Sequence, residues 1–267
     1  MQKQVSITES DGRGSVGTLA RGLDILSLFA TAGPDLSQKE ISEALEMPLA
    51  TVHRLTSVLT ERGYLERDRH SRRLRLGLEV TRLLPPLLSG LRLPELARQH
   101  LLALAATTHE TVNLAILQGS EIVYLISETG DRLLTTQATV GQRLPAHCTA
   151  LGKCLLAQLP EDAARAALGP EPYEARTPRT MTAWAKLRPA LEEIRRSGVS
   201  HSDEEYEIGL ISIAVPVQWT GGSGSAAINV SLPSARATAA FRRQLTDGLL
   251  DAAAAIERSM NVQGAHR

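Results

Sequence analysis

At 267 residues the chain is long enough for two domains of ordinary size. A formal net charge of zero excludes binding of polyanions through overall charge, so any nucleic-acid affinity has to come from a local patch. Aromatic residues are 3% of the chain, so the cores have to be built from Leu, Ile, Val and Ala. No run of eighteen apolar residues predicts a membrane span, and the charged N-terminus lacks the apolar segment of a signal peptide, so a cytoplasmic protein is expected. Two cysteines, Cys148 and Cys154, form neither a disulfide framework nor a zinc spacing, and read as free thiols.

Residues 1–17 are polar and rich in Gly and Ser and read as a disordered arm. A first helix is predicted over 18–31, with Leu19, Leu23, Leu26 and Phe29 as its buried stripe, ended by Gly33-Pro34. Ser37-Gln38-Lys39-Glu40 is a capping box: the Ser37 hydroxyl can accept the Glu40 N–H while the Glu40 carboxylate reaches back. It opens a short helix that packs through Ile41, Ala44 and Leu45. Glu46-Met47-Pro48 breaks the chain, with Pro48 before or at the first turn of the next helix. From Leu49 to Arg62, Val52, Leu55, Val58 and Leu59 fall at helical spacing and form an apolar stripe. The opposite stripe carries Thr51, His53, Arg54 and Ser57, side chains suited to phosphates and base edges. Two helices with a short turn between them form a helix-turn-helix, whose second helix enters the major groove of double-stranded DNA.

Gly63 stops that helix, and residues 64–67 and 73–76 read as the two strands of a hairpin, which makes the unit a winged helix. Six arginines (62, 67, 69, 72, 73 and 75) against Glu66 and Asp68 make the wing basic, as a phosphate contact requires. Candidate DNA-binding residues are Ser37, Pro48, Leu49, Ala50, Thr51, His53, Arg54, Ser57, Arg67, Arg69, Arg72 and Arg73. One winged helix reads few base pairs, so a symmetric dimer on a palindromic operator is expected, with its main contact on the leucine-rich segments 18–31 and 79–89.

Residues 79–84 look helical, and Pro85-Pro86 has to kink or stop that helix. A helix follows from Pro94 to about Thr108, with Leu96, Leu101, Leu104 and Ala105 inward. The period then becomes two: Val112, Leu114 and Ile116, a turn at Gln118-Gly119-Ser120, then Ile122, Tyr124 and Ile126. Residues 133–136 read as a further strand. Helices are predicted over 149–158, 161–168 and 182–197, the last ended by Gly198. Strands 211–217 and 226–232 join through a Gly/Ser turn at 220–225, and a helix over 234–260 closes the chain. Hairpins mixed with helices make an α+β domain with an antiparallel sheet.

The chain resembles the IclR family of bacterial transcription regulators over about 18–260. The resemblance rests on Leu19-Ala20-Arg21-Gly22-Leu23-Asp24-Ile25-Leu26, Thr51-Val52-His53-Arg54-Leu55 and Gly63-Tyr64-Leu65 in the N-terminal part. In the C-terminal part it rests on Gly141-Gln142-Arg143-Leu144-Pro145-Ala146-His147, Ala150-Leu151-Gly152-Lys153, Asp203-Glu204-Glu205, and Gly209 followed by Ile213-Ala214-Val215-Pro216. It implies a winged helix-turn-helix (18–77), a linker helix (78–93) and a GAF-like effector domain (94–261) that binds a small metabolite. It further implies a homodimer or dimer of dimers on DNA, with no catalysis and no cofactor. Pro85-Pro86 interrupts a linker helix that is usually continuous in the family, and Ser212 stands where many members carry a cysteine.

Alternation in 211–217 turns Ile211, Ile213, Val215 and Val217 one way and Ser212 and Ala214 the other. In 226–232 it separates Ala226, Ile228, Val230 and Leu232 from Asn229 and Ser231. Ser212, Asn229 and Ser231 therefore form either the small polar floor of a pocket or a wet face. The helix beginning near Thr149 offers free N–H groups and a dipole that favour a carboxylate. The family's pocket positions carry over to Leu133, Thr136, Ala150, Leu151, Asp203, Ser212, Asn229 and Ser231, and a small organic acid or related metabolite is expected there. The acidic segment 203–207, bounded by Gly209, reads as a lid. Two other readings compete: an enzyme using Cys148 beside His147, and a metal held by His147, Cys148 and Asp203. Neighbours in sequence diverge in space, and no ligand spacing supports a metal.

Overall fold

The computed structural model describes residues 14–86, 92–132, 136, 138–218 and 225–264, and its contacts divide the chain into two compact units, Met1–Leu87 and Leu88–Arg267. In the first unit, α1 (Gly14–Ala32) starts inside the segment expected to be a disordered arm. Its buried side chains are Ile25 and Phe29, whereas Leu19 and Leu23 are 69% and 55% exposed. This corrects the expected stripe. The helix is apolar on more than one side, and the face that meets Leu36, Ile41, Val52, Leu65 and Leu74 is the one buried.

The helix α2 (Gln38–Ala44) has both arms of its capping box, with the Ser37 hydroxyl accepting the Glu40 N–H at 3.2 Å and the Glu40 carboxylate accepting the Ser37 N–H at 2.7 Å. Ile41 is buried but Ala44 is exposed, and Met47 from the turn takes its place in the core. The helix α3 (Leu49–Glu61) follows Pro48 and buries Val52, Leu55 and Thr56, while Val58 is half exposed. The Thr56 hydroxyl donates to the Val52 carbonyl at 2.8 Å and accepts from Gln38 Nε2 at 2.8 Å, which ties α2 to α3. Gly63, at φ +76°, ends the helix where a side chain would be strained.

The strands β2 (Leu65–Arg67) and β3 (Leu74–Leu76) form the wing, and β1 (Asp35–Leu36) pairs antiparallel with β3 to complete a three-stranded sheet. Two residues are too few for a period, so β1 had no signature in the sequence. A 3₁₀ turn spans Leu78–Leu83, and residues 84–86 are helical. Pro85 and Pro86 thus lie where helical backbone begins again, a place where a missing N–H gives up no hydrogen bond. Residues 87–91 are outside the described residues.

The second unit starts with α4 (Leu93–Thr108). A six-stranded antiparallel sheet follows, in the order β6-β5-β4-β9-β8-β7, from β4 (Thr111–Gln118), β5 (Glu121–Glu128), β6 (Arg143–Pro145), β7 (Ser200–Asp203), β8 (Leu210–Val217) and β9 (Ala226–Pro233). The helices α4 and α8 (Ala239–Gly264) cover one face over Val112, Leu114, Ile213, Val215, Ile228 and Val230. The helices α5 (Ala150–Ala157), α6 (Glu161–Leu168) and α7 (Trp184–Ser197) pack against the other, over Ala115, Ile122, Tyr124, Ala214 and Ala227. The expected single face for Ile122, Tyr124 and Ile126 is corrected by a bulge in β5. Leu114 pairs with Ile126 but Ala115 with Tyr124, so the extra residue sends Ile126 to the α4/α8 side. Thr136 is not in a strand, and the rest of the strand expected over 133–136 lies outside the described residues, as does most of the turn expected over 220–225.

The placement of α5 depends on Gly152. A Cβ there would sit 2.2 Å from the Ala146 backbone, so the helix rests directly on the turn before it. Gly152→Ala should destabilise the effector unit by at least about 2 kcal/mol, read as a lower denaturant midpoint in chemical unfolding followed by circular dichroism.

Candidate functional site

On the α5 side of the sheet lies a cavity of about 470 Å³, of a size that small-molecule sites commonly have. Its floor comes from three adjacent strands. Asn113 on β4 faces Asn229 on β9, and Ser231 on β9 faces Ser212 on β8. Asn229 Nδ2 donates to Ser212 Oγ at 2.5 Å and to Ser231 Oγ at 2.9 Å, and its Oδ1 accepts from Asn113 Nδ2 at 2.9 Å. All four side chains are buried. In this arrangement the serine oxygens accept from the amide and lie 3.3 Å from each other, so one hydroxyl donates to the other and one hydroxyl proton remains to be offered to a ligand's oxygen.

Ser212, Asn229 and Ser231 were read from alternation, and the register brings them together. Asn113 was missed, although the same rule reaches it: with Val112 and Leu114 turned to the α4/α8 core, Asn113 has to face the other way. Thr136, Ala150 and Leu151 also line the cavity, whereas Leu133 lies outside the described residues. Asp203 is corrected. It ends β7 with Ser202 facing the cavity side, so alternation turns it away, and its carboxylate takes Arg242 Nη1 of α8 at 2.7 Å.

Thr149 caps α5 by accepting the Gly152 N–H at 3.1 Å, so the helix N-terminus, with its partial positive charge, lies on the cavity wall. Tyr206 and Glu207 of the acidic segment, with Ile208 and Gly209 after it, also line the cavity. The root of the segment is anchored. The Glu204 and Glu205 carbonyls accept hydroxyls of Thr177 and Thr180, and the buried Glu205 carboxylate pairs with the buried Lys153 of α5. Burial raises the Glu205 carboxyl above the usual carboxylate range, against the pull of Lys153.

His147 and Cys148 do not form a dyad. His147 Nε2 is 2.9 Å from the Glu174 carbonyl, its ring lies 5.4 Å from Tyr173, and burial lowers its pKa. The Cys148 thiol points to the Pro145 carbonyl, and burial pushes its pKa up to about 12. With Asp203 paired elsewhere, His147, Cys148 and Asp203 are each engaged separately. Among the described residues no three His, Cys, Asp or Glu side chains cluster as a metal would require.

In the first unit, His53, Arg54 and Ser57 are exposed on α3, Thr51 is half-buried, and Pro48, Leu49 and Ala50 stand exposed at its start. Ser37 is occupied as a helix cap. Arg73, expected on the wing's phosphate face, instead bonds Asp35 Oδ1 at 2.9 Å and Glu40 Oε2 at 2.8 Å, so it holds β1, α2 and β3 together. Those hydrogen bonds, first from Ser37 and then from Arg73, hold the Glu40 carboxyl at a pKa of about 2. At the tip, Arg69 and Arg72 are exposed and Arg67 is half-buried, while Arg75 pairs with Asp68 at 2.9 Å.

A winged helix-turn-helix unit followed by a mixed helix-and-sheet unit that encloses a polar-floored cavity defines the chain as a DNA-binding regulator with an effector domain. Residues 18–69 match the IclR helix-turn-helix domain, and residues 86–258 match the C-terminal domain of the bacterial transcriptional regulator IclR. The chain belongs to the IclR family of transcriptional regulators. It is 36% identical over 222 residues to the Pca regulon regulatory protein of Pseudomonas putida, covering 83% of this chain and 76% of that one. It is 32% identical over 197 residues to the regulator KdgR of Escherichia coli, covering 74% and 75%. Among solved structures, a transcriptional regulator of Rhodococcus sp. RHA1 superposes with a TM-score of 0.79 at 34% identity, covering 92% of this chain and 98% of that one. An IclR homologue of Microbacterium hydrocarbonoxydans complexed with 4-hydroxybenzoate does so with a TM-score of 0.79 at 27% identity, covering 92% and 99%. These relatives are regulators and not enzymes. Among the described residues no helix is long and apolar enough to cross a membrane.

Both cysteines are fully buried and both thiols have a pKa of about 12. Iodoacetamide at pH 8 should leave the native protein unmodified for hours and label both residues in denaturant, as counted by intact mass. Rapid labelling of Cys148 in the native protein would restore the nucleophile reading.

Proposed function

We propose that this protein is a cytoplasmic, homodimeric regulator that binds a palindromic operator and changes its DNA affinity when a small organic acid occupies the effector cavity. The observation that carries the reading is the polar floor of Ser212, Asn229, Ser231 and Asn113, buried beside a helix N-terminus in the family's effector domain. The complex of the Microbacterium homologue with 4-hydroxybenzoate supports an organic acid as effector, and the Pca regulon name supports control of a catabolic operon. A ligand carboxylate gains the α5 N–H groups and a serine hydroxyl. The effector shifts DNA affinity only by its preference for one conformation over the other, and the segment lining the cavity wall at 206–209 is the lid through which it acts.

On DNA, Thr51 and His53 face base edges and Arg54 holds a phosphate, with the start of α3 at residues 48–50 and Ser57 lining the same groove. Arg69 and Arg72 at the wing tip, with Arg67 behind them, add backbone or minor-groove contacts. Arg73 serves the fold of the wing. Arg54→Ala should weaken operator binding and make the log–log salt slope shallower by about one unit. Fluorescence anisotropy across a salt series tests this, and a wild-type affinity and slope would reject the docking.

The exposed Leu19 and Leu23 of α1 and Leu78, Leu83 and Leu84 after the wing provide the apolar surface for the dimer contact. Sedimentation at micromolar concentration should give a dimer or a dimer of dimers, and a monomer with and without DNA would remove this part of the reading.

Asn229→Leu keeps similar bulk and removes the amide that organises the floor. It should weaken the response to an organic-acid effector roughly 5- to 150-fold, while operator binding without effector stays unchanged. Anisotropy of labelled operator, titrated with candidate acids, reads both quantities. A wild-type effector midpoint in Asn229→Leu would place the ligand on the wrong face of the sheet.

A further inference from the structure

The charge inventory of the cavity restricts its ligand further than its family does. Among the described residues its lining holds no Lys, Arg or His. Its single charged side chain is Glu207, which is exposed and carries negative charge at the rim. The Lys and Arg side chains close in sequence to the walls have acidic partners: Lys153 pairs with Glu205, Arg143 with Glu121 at 2.9 Å, and Arg236 with Glu110 at 2.6 Å. Arg176 pairs with Glu174 at 3.3 Å and lies 4.9 Å above the Tyr206 ring, outside the lining.

One anionic group can be satisfied without a cation, by the N-terminus of α5 and a hydroxyl of the floor. A second cannot. Elsewhere on the wall it would meet apolar groups, Ala138, Leu144 and Leu151, or uncharged ones, Tyr124, Gln142, Ser202 and Tyr206, none of them a counter-ion, and at the rim it would meet Glu207. A carboxylate removed from water with no counter-ion loses far more than it gains. The cavity is nonetheless roomy, so size alone does not exclude the larger acid.

The floor adds a requirement for an uncharged polar group. Asn113 is 1% exposed and lines the cavity, and its Oδ1 has no hydrogen-bond partner. Exchanging oxygen and nitrogen in both amides lets Asn229 accept from the serines and donate to Asn113, which leaves Asn113 Nδ2 over instead. In either assignment one Asn113 atom is left over, and a hydroxyl can serve it as donor or as acceptor.

We propose that the effector is a monocarboxylate of about the size of a substituted benzene ring, with a hydroxyl or similar neutral polar group, and that the cavity rejects dicarboxylates of the same size. This rests on the effector reading above and deepens it. The test is calorimetric titration of the full-length protein with two matched pairs, 4-hydroxybenzoate against terephthalate and 6-hydroxyhexanoate against adipate, with Asn229→Leu titrated alongside to tie binding to this cavity. In whichever pair binds, the monocarboxylate should bind at least about 30-fold more tightly than the dicarboxylate. Glu207→Lys should narrow that ratio about tenfold by giving the second carboxylate a counter-ion. A dicarboxylate that binds wild type as tightly as its partner, and loses affinity in Asn229→Leu, overturns the charge rule and leaves the effector reading standing. Binding of no acid in either pair, or binding indifferent to Asn229→Leu, overturns both. A ratio unmoved in Glu207→Lys overturns the part assigned to Glu207.

Discussion

The antiparallel register of β4, β9 and β8 is the constraint on which the effector unit depends. It aligns Asn113 with Asn229 and Ser212 with Ser231 on one face, and Val112 with Val230 and Ile213 with Val230 on the other. A slip of one residue in any strand would exchange the faces, exposing isoleucine and valine to the cavity and pressing serine and asparagine into the α4/α8 core. Neither exchange is tolerable, since unpaired buried amides are costly and the core would lose its apolar contacts. The strands that make the core are thereby the strands that present the site.

The second device is α5, whose first turn serves the site in two ways. Gly152 lets its first turn sit on the backbone of Ala146, which brings the helix N-terminus to the cavity wall. One residue further on, Lys153 leaves that wall and pairs with Glu205 at the root of the 206–209 segment, which also lines the cavity. Both charges are buried, so each depends on the other, and losing one would leave the other uncompensated. The 206–209 segment is thereby tied at its root to the helix whose N-terminus lies on the cavity wall. The winged-helix unit uses charge in a parallel way. Arg73 joins β1, α2 and β3 through Asp35 and Glu40, and Asp68 organises the hairpin tip by accepting the Ser71 N–H and hydroxyl at 2.7 and 2.8 Å. Arg69 and Arg72 remain exposed at the tip.

Much of this was legible in the sequence because it depends on local rules. The capping box at Ser37 and Glu40, the positive-φ stop at Gly63, the α3 faces and the two-residue period of β8 and β9 each follow from a few neighbouring residues and a fixed periodicity. Those rules also put Ser212, Asn229 and Ser231 on one side, and the motifs around them carried the family. What stayed hidden was long-range. The choice of Ile25 and Phe29 over Leu19 and Leu23 on α1 needed the partner face, because leucines on several sides of a helix leave the docking side open. The short strands β1, β6 and β7 have too few residues for a pattern, and the bulge that turns Ile126 away from Tyr124 exists only in pairing with β4.

By itself the sequence determined the order of the elements, the two kinds of unit and the chemical type of the pocket floor, because propensity, capping and alternation act within a few residues. Only the tertiary structure decided which charges are available. Arg73 and Arg69 are the same residue type on one hairpin, yet one is bound into the fold and the other is exposed. Asp203 and Glu207 lie four residues apart, yet alternation and Arg242 take the first out of the cavity while the second lines its rim. Charge depends on partners, and partners come from distant parts of the chain, so the electrostatics of both surfaces had to wait for the fold.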